Sequence, residues 1–148
     1  MRHELRTEIK IFAPPETVWD ILTDLERYAD WNPFIVEAKG NTSVGSKLVN
    51  QLQPPGGKAM TIKPVVTVSD TAQTLEWLGL AGIRGLFDGR HRFDLEATQS
   101  GGTRLVHSEK FSGIFVRPMR RMLDTQTKAG FEAMNVALKK RAESRRKS

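Results

Sequence analysis

The pattern that most restricts how this chain can fold lies near its C-terminal end, where apolar residues stop alternating and begin to recur every three to four positions. After Gly113 and Pro118, the residues Met119, Met122, Leu123, Ala129, Gly130, Ala133, Met134, Ala137 and Leu138 mark one broad face of a helix of about 25 residues. At 1.5 Å per residue such a helix is about 40 Å long. It cannot bury its apolar stripe alone, so a surface of matching length must lie against it. The preceding sequence supplies that surface. Leu5 to Ile11 alternates, with Leu5, Thr7, Ile9 and Ile11 on one face and Arg6, Glu8 and Lys10 on the other. Residues 34–39, 47–53, 59–69, 73–79, 85–97 and 103–113 read as six further strands. Gly40-Asn41-Thr42-Ser43, Pro54-Pro55-Gly56-Gly57, Ser69-Asp70-Thr71 and Ser100-Gly101-Gly102 are hairpin-type connections, which imply antiparallel neighbours. The expectation is an α+β fold, a seven-stranded antiparallel meander curved around a long C-terminal helix. Pro64 lies inside one strand, and proline is tolerated only at an edge or bulge, so a break is expected there.

Two short helices are expected between the first and second strands. Ala13-Pro14-Pro15-Glu16 stops the strand, and Val18, Trp19, Ile21, Leu22 and Leu25 recur at helical spacing, with proline suited to the first turn. A further helical turn spans Glu26 to Ala29, and Trp31-Asn32-Pro33-Phe34 turns the chain back. With 148 residues and no linker or internal repeat, one domain is expected across residues 1–148.

Charge and composition narrow the function classes. The net charge is +6, but Lys139, Lys140, Arg141, Arg145, Arg146 and Lys147 face only Glu143 at the end of the chain, so the body is nearly neutral. The basic tail at 139–148 is expected to be a solvated helix end, with transient contact to an anionic membrane surface as its possible partner. Nucleic acid is not expected. The absence of cysteine excludes disulfides and thiolate-held metal sites. The N-terminus lacks the apolar run of a signal peptide, and about twenty apolar residues nowhere run together, so a cytoplasmic location is expected.

Strand alternation sorts the candidate chemistry. His91, Phe93 and Leu95 share one face, and Thr103, Leu105, His107, Glu109 and Phe111 share another; both faces are mainly apolar and are expected to point inward. His91, His107 and Glu109 then line the interior, where polar groups need partners. They could orient a ligand's oxygen atom, act as an acid/base pair in which Glu109 raises a histidine's basicity, or satisfy one another in a filled core. Trp31, Phe34, Trp77, Met122 and Met134 are candidate ligand contacts or core. His107 and Glu109 could offer two ligands on one strand face, but none beyond His91 joins them, and neither metal nor cofactor is expected. Gly79, Gly82 and Gly85 lack the helix start that a phosphate-cradling loop requires; the segment is expected to be an irregular connection that gates entry. Nucleophile-elbow, Walker and zinc-protease motifs are absent.

Three stretches resemble the START-like superfamily, also described as Bet v 1-like, SRPBCC, or polyketide cyclase/dehydrase and lipid transport. They are Ile11-Phe12-Ala13-Pro14-Pro15-Glu16-Thr17-Val18-Trp19, then Tyr28-Ala29-Asp30-Trp31-Asn32-Pro33-Phe34, and then Gly89-Arg90-His91-Arg92-Phe93 with Gly102-Thr103-Arg104-Leu105-Val106-His107-Ser108-Glu109. The resemblance runs from about Leu5 to Arg141. It implies a helix-grip fold and an apolar cavity walled in part by His91, Phe93, His107 and Glu109. Superfamily members include carriers of lipids, sterols, hormones and polyketides as well as cyclases and dehydratases. The expected function is therefore a non-enzymatic binding or carrier protein for a hydrophobic small molecule, such as a lipid or polyketide. The alternative is a cyclase or dehydratase using His107 and Glu109.

Overall fold

The computed structural model describes residues 2–80 and 85–146. In order, β1 (Arg2–Ile11) leads to α1 (Pro15–Thr23) and a 3-10 helix (Leu25–Asp30). There follow β2 (Ile35–Lys39), β3 (Val49–Leu52), β4 (Met60–Ile62), β5 (Val65–Asp70), β6 (Thr74–Leu80), β7 (Asp88–Ala97) and β8 (Thr103–Ser112). The chain ends in α2 (Val116–Met122), a π-helical stretch (Leu123–Thr127) and α3 (Lys128–Arg146). The class is α+β, with antiparallel strands and a long C-terminal helix in a helix-grip-like arrangement.

The seven-stranded meander requires correction. Among the described residues, eight strands form two sheets, one ordered β1-β8-β7-β6-β5 and the other β2-β3-β4. Pro64 is the physical reason, because it has no N–H to give to a ladder. The expected strand 59–69 divides there into β4 and β5, which pair in different sheets. The junction is stitched by the preceding chain: Leu48 N–H donates to the Pro64 carbonyl at 2.8 Å and Val66 N–H to that of Ser46 at 2.9 Å. The meander is also closed differently. β1 pairs with β8 along its whole length, from Arg2 opposite Ser112 to Ile11 opposite Thr103, while α1 and the 3-10 helix carry the chain across to the second sheet.

The local reasons for the early helices are visible. Pro15 opens α1, and the Pro14 carbonyl accepts from the N–H groups of Thr17 and Val18. Val18, Trp19, Ile21 and Leu22 form its buried face. Tyr28 donates its hydroxyl to the Leu22 carbonyl, and burial pushes its pKa up. Asn32 accepts from the backbone N–H groups of Phe34 and Ile35 at 2.9 and 2.8 Å, an Asx-type turn that launches β2.

The helix that spans the inner face buries Leu123, Gly130, Phe131, Met134, Asn135, Leu138 and Ala142. Ala129, expected on that face, is exposed. The π-helical stretch accounts for the difference, since it adds a residue to one turn and rotates everything that follows. At Gly130 the helix approaches so closely that a Cβ would collide with the Phe34 ring. The basic end is helical through Arg146. Leu138 and Ala142 are buried there, and Lys139 pairs with Glu143 and lies over the Phe12 ring, 4.2 Å from its centre. Of the connection expected to gate entry, residues 81–84, Gly82 among them, lie outside the described residues.

Candidate functional site

Four strands bring their inward side chains into rows. Leu5, Glu109, His91 and Trp77 stand opposite one another across β1, β8, β7 and β6, and the next row holds Thr7, His107, Phe93 and Leu75. On the other side of the first row lie His3, Phe111, Gly89 and Gly79. The middle of the inner face is closed by rings. His107 stacks on Phe131 of α3 with 4.2 Å between centres and 5° between planes, and His91 lies 5.1 Å from Trp77 and 5.0 Å from both Phe93 and Phe131. Phe34 meets Phe131 edge-on at 5.6 Å. The glycine end is different. Two adjacent inward positions there carry no side chain, and among the described residues, Leu78 and Leu80 apart, no heavy atom lies closer than 3.8 Å to where a Cβ of Gly79 would stand.

The polar groups form one connected chain. Glu109 Oε1 lies 3.2 Å from His91 Nδ1, and His91 Nε2 is 2.7 Å from His107 Nε2. His107 Nδ1 is 2.8 Å from Asn135 Oδ1, Asn135 Nδ2 donates to Thr7 Oγ1 at 2.8 Å, and Thr7 Oγ1 donates to the His107 carbonyl at 2.9 Å. The structure thus places His91 between His107 and Glu109; the two expected acid/base residues do not touch.

The partners fix where the protons sit. Because the Thr7 hydroxyl donates to a carbonyl, its lone pair receives the Asn135 amide, and the Asn135 oxygen is turned toward His107 Nδ1. His107 Nδ1 must carry a proton to donate there. Burial, and secondarily the nearby His91, push the His107 pKa well below its ordinary value, so the ring is neutral and its Nε2 is bare. His91 must then donate through Nε2. That leaves His91 Nδ1 facing the Glu109 carboxylate at 3.2 Å, within ion-pair distance. Glu109 keeps 15% of its side chain exposed while its partner keeps 5%, so water reaches the relay at the carboxylate. A Cβ at Gly89 would collide with Glu109 Oε2, so the carboxylate leans over the glycine.

Of the other expected contacts, Phe34, Trp77, Phe93 and Met134 are buried, and Met122 is partly buried against the core. Trp31 stands apart from the ring cluster, packed on the edge of Tyr28 at 5.3 Å. Sequence reasoning missed Asn135 and Phe131, which lie on the helix and become partners only when it crosses the sheet. It also missed Asn50, in the middle strand of the smaller sheet, whose amide is fully buried and has no hydrogen-bond partner among the described residues. No group of three His, Asp or Glu side chains among the described residues is placed to hold a metal ion. A cleft of about 540 Å³ lies largely on the outward face, lined by Arg2, Glu4, Asp88, Arg90, Lys110 and Ser112, with His3, Leu78 and Phe111. Its Arg90 is tied to Glu76. Burial works against the Glu76 carboxylate, but hydrogen bonds from Thr67, Arg90 and Arg92 outweigh it and hold its pKa below the ordinary value.

Known structures with this architecture are numerous. An aromatase/cyclase from a Streptomyces species has a TM-score of 0.80 at 18% identity, covering 98% of this chain and 96% of its own. Norcoclaurine synthase from Thalictrum flavum, in complex with dopamine and hydroxybenzaldehyde, has 0.76 at 14% identity, covering 97% and 88%. The di-domain aromatase/cyclase StfQ of the steffimycin biosynthetic pathway has 0.81 at 14% identity, covering 100% of this chain and 53% of that one. At these identities the likeness concerns the fold. Among curated proteins no sequence match is found. Among described residues no helix is long and apolar enough to cross a membrane. The model of one sequence family matches residues 2–143, nearly the whole chain, and with the SRPBCC-like fold it shows that the protein belongs to the polyketide cyclase / dehydrase and lipid transport family.

Proposed function

We propose that the protein binds a hydrophobic small molecule, a lipid or polyketide-like compound, at the glycine end of the inner face, between the five-stranded sheet and the C-terminal helix. The Glu109–His91 pair carries this assignment. It is a polar handle at the accessible end of an otherwise apolar surface, leaning over positions that have no side chain. Trp77, His91, Glu109, Phe111 and Met122 would meet the ligand, with Phe34, Phe93, His107 and Met134 as the packed floor beneath it. Family membership supports the chemical class. The test is native mass spectrometry of the purified protein, together with thermal shifts against fatty-acid and aromatic polyketide panels. A ligand at a hundred times its Kd adds about 2.7 kcal/mol and a visible rise in Tm. Gly89→Val, which displaces the Glu109 carboxylate, should abolish the shift. Empty preparations with no shift in either panel would refute the proposal.

The hydrogen-bond chain favours a second reading, a cyclase or dehydratase. Glu109 and His91 face each other beside the proposed ligand space, and His107, held by Asn135 and Thr7, fixes the His91 ring. In this reading Glu109 and His91 exchange a proton with substrate, and His107 acts through His91. Glu109→Gln and His107→Ala should each abolish conversion of a poly-β-carbonyl substrate while leaving far-ultraviolet circular dichroism unchanged. Turnover surviving in both would remove the enzyme reading and leave the binding one.

A further inference from the structure

The turn between β8 and α2 presents two large apolar side chains to solvent, Ile114 at 68% and Phe115 at 48% exposure. This is not fraying. Ile114 N–H donates to the Gly85 carbonyl at 3.2 Å and Phe115 N–H to that of Leu86 at 3.0 Å. Gly113, with φ of +123°, packs so closely against the Leu86 carbonyl that no Cβ fits. The backbone therefore holds both side chains outward in a fixed turn.

The next residues supply charge of one sign. Arg117, Arg120 and Arg121 fall at i, i+3 and i+4 on the outer side of α2, opposite Val116, and all three are exposed. None makes an ion pair among the described residues. Asp124, the nearest acid along the helix, is taken by His3 at 2.6 Å. A fixed apolar tip backed by three unpaired arginines matches the interface of an anionic bilayer, where rings and aliphatic side chains enter the acyl boundary and cations meet the headgroups.

We propose that the Ile114–Phe115 tip and the Arg117/Arg120/Arg121 stripe dock the protein peripherally on an anionic membrane. The surface lies at the end of β8 beyond Phe111, so docking turns the glycine end of the inner face toward the bilayer. The proposal does not rest on the ligand-binding reading, because neither the tip nor the arginines are among the proposed ligand contacts. It also differs from contact through the basic end of α3.

The experiment is co-sedimentation of the full-length protein with phosphatidylcholine vesicles, with and without phosphatidylglycerol, at low and high salt. Binding should require phosphatidylglycerol and weaken as salt rises. I114S/F115S and R117Q/R120Q/R121Q should each reduce partitioning by at least about tenfold, and K140Q/R141Q/R145Q should leave it near the wild-type value. Circular dichroism and Tm of I114S/F115S and R117Q/R120Q/R121Q should match wild type, since their altered side chains are exposed; the milder I114A serves if the double variant unfolds. Equal binding to neutral vesicles, undiminished binding of the tip variants, or loss of binding only in the α3 variant would overturn the proposal. So would wild-type protein that ignores vesicles but forms a dimer in sedimentation velocity that I114S/F115S abolishes, since the tip would then cover a second copy of the chain.

Discussion

His107 is fully buried, with both ring nitrogens engaged and a pKa held well below 6.5 by burial and by His91. The unfolded chain takes up a proton at this residue that the folded chain refuses. Stability from this source is present above the unfolded pKa and is lost as pH falls below it toward the folded value, by up to about 1.4 kcal/mol per pH unit. Urea unfolding at pH 7 and pH 5 should therefore differ by about 1–2 kcal/mol in this residue's account, and His107→Gln should flatten the dependence. A slope unchanged in that variant would place the titration elsewhere. Asn50 offers a contrasting case, a buried amide with neither donor nor acceptor partnered among the described residues. Asn50→Leu should stabilise the protein by about 1 kcal/mol in the same assay, since an unpaired buried polar group costs about 1–3 kcal/mol; destabilisation would mean that the amide has a partner. The inward placement of His91, His107 and Glu109 was legible in the sequence because strand side chains alternate with a period of two. Their order was not, because which ring lies between the others depends on inter-strand register. Asn135 carries no local signal on its helix.

Among the elements, close approach at two glycines decides what substitutions do. Gly130→Ala ought to stabilise an isolated helix, yet the added methyl meets the Phe34 ring. Overpacking should win, lowering stability by about 1–3 kcal/mol. Gly113→Ala should be similarly harmful, about 1–3 kcal/mol, because both its φ of +123° and the Leu86 carbonyl oppose a side chain. Thermal melts of the two variants check both expectations, and a raised Tm in either would show that the neighbour yields. The long helix and most strands were legible from periodicity alone. Pro64 marked a break in one strand, but not that the halves would join different sheets, since that depends on the Ser46 to Leu48 segment arriving beside it. The π-helical stretch was hidden for a related reason: one added residue leaves the composition of the apolar stripe intact and changes only its phase, so Ala129 faces out.

At the scale of the whole molecule, the pairing of β1 with β8 dominates, because it joins residues about a hundred positions apart. Thr7 and α3 meet across the same strand, so the relay is complete only once the first and last elements have come together. Long-range pairing of this kind slows folding; refolding followed by tryptophan fluorescence should take milliseconds to seconds, and microsecond folding would contradict the closure described. Strand β1 is also a border of the five-stranded sheet, and along its exposed face Arg2, Glu4, Arg6, Glu8 and Lys10 alternate in sign. A foreign segment adding itself to that margin would have to set its own side chains beside a row of opposed charges one residue pair apart. Few sequences satisfy such a row, so this border discourages fibril growth in a protein whose other surfaces are free to carry exposed apolar groups.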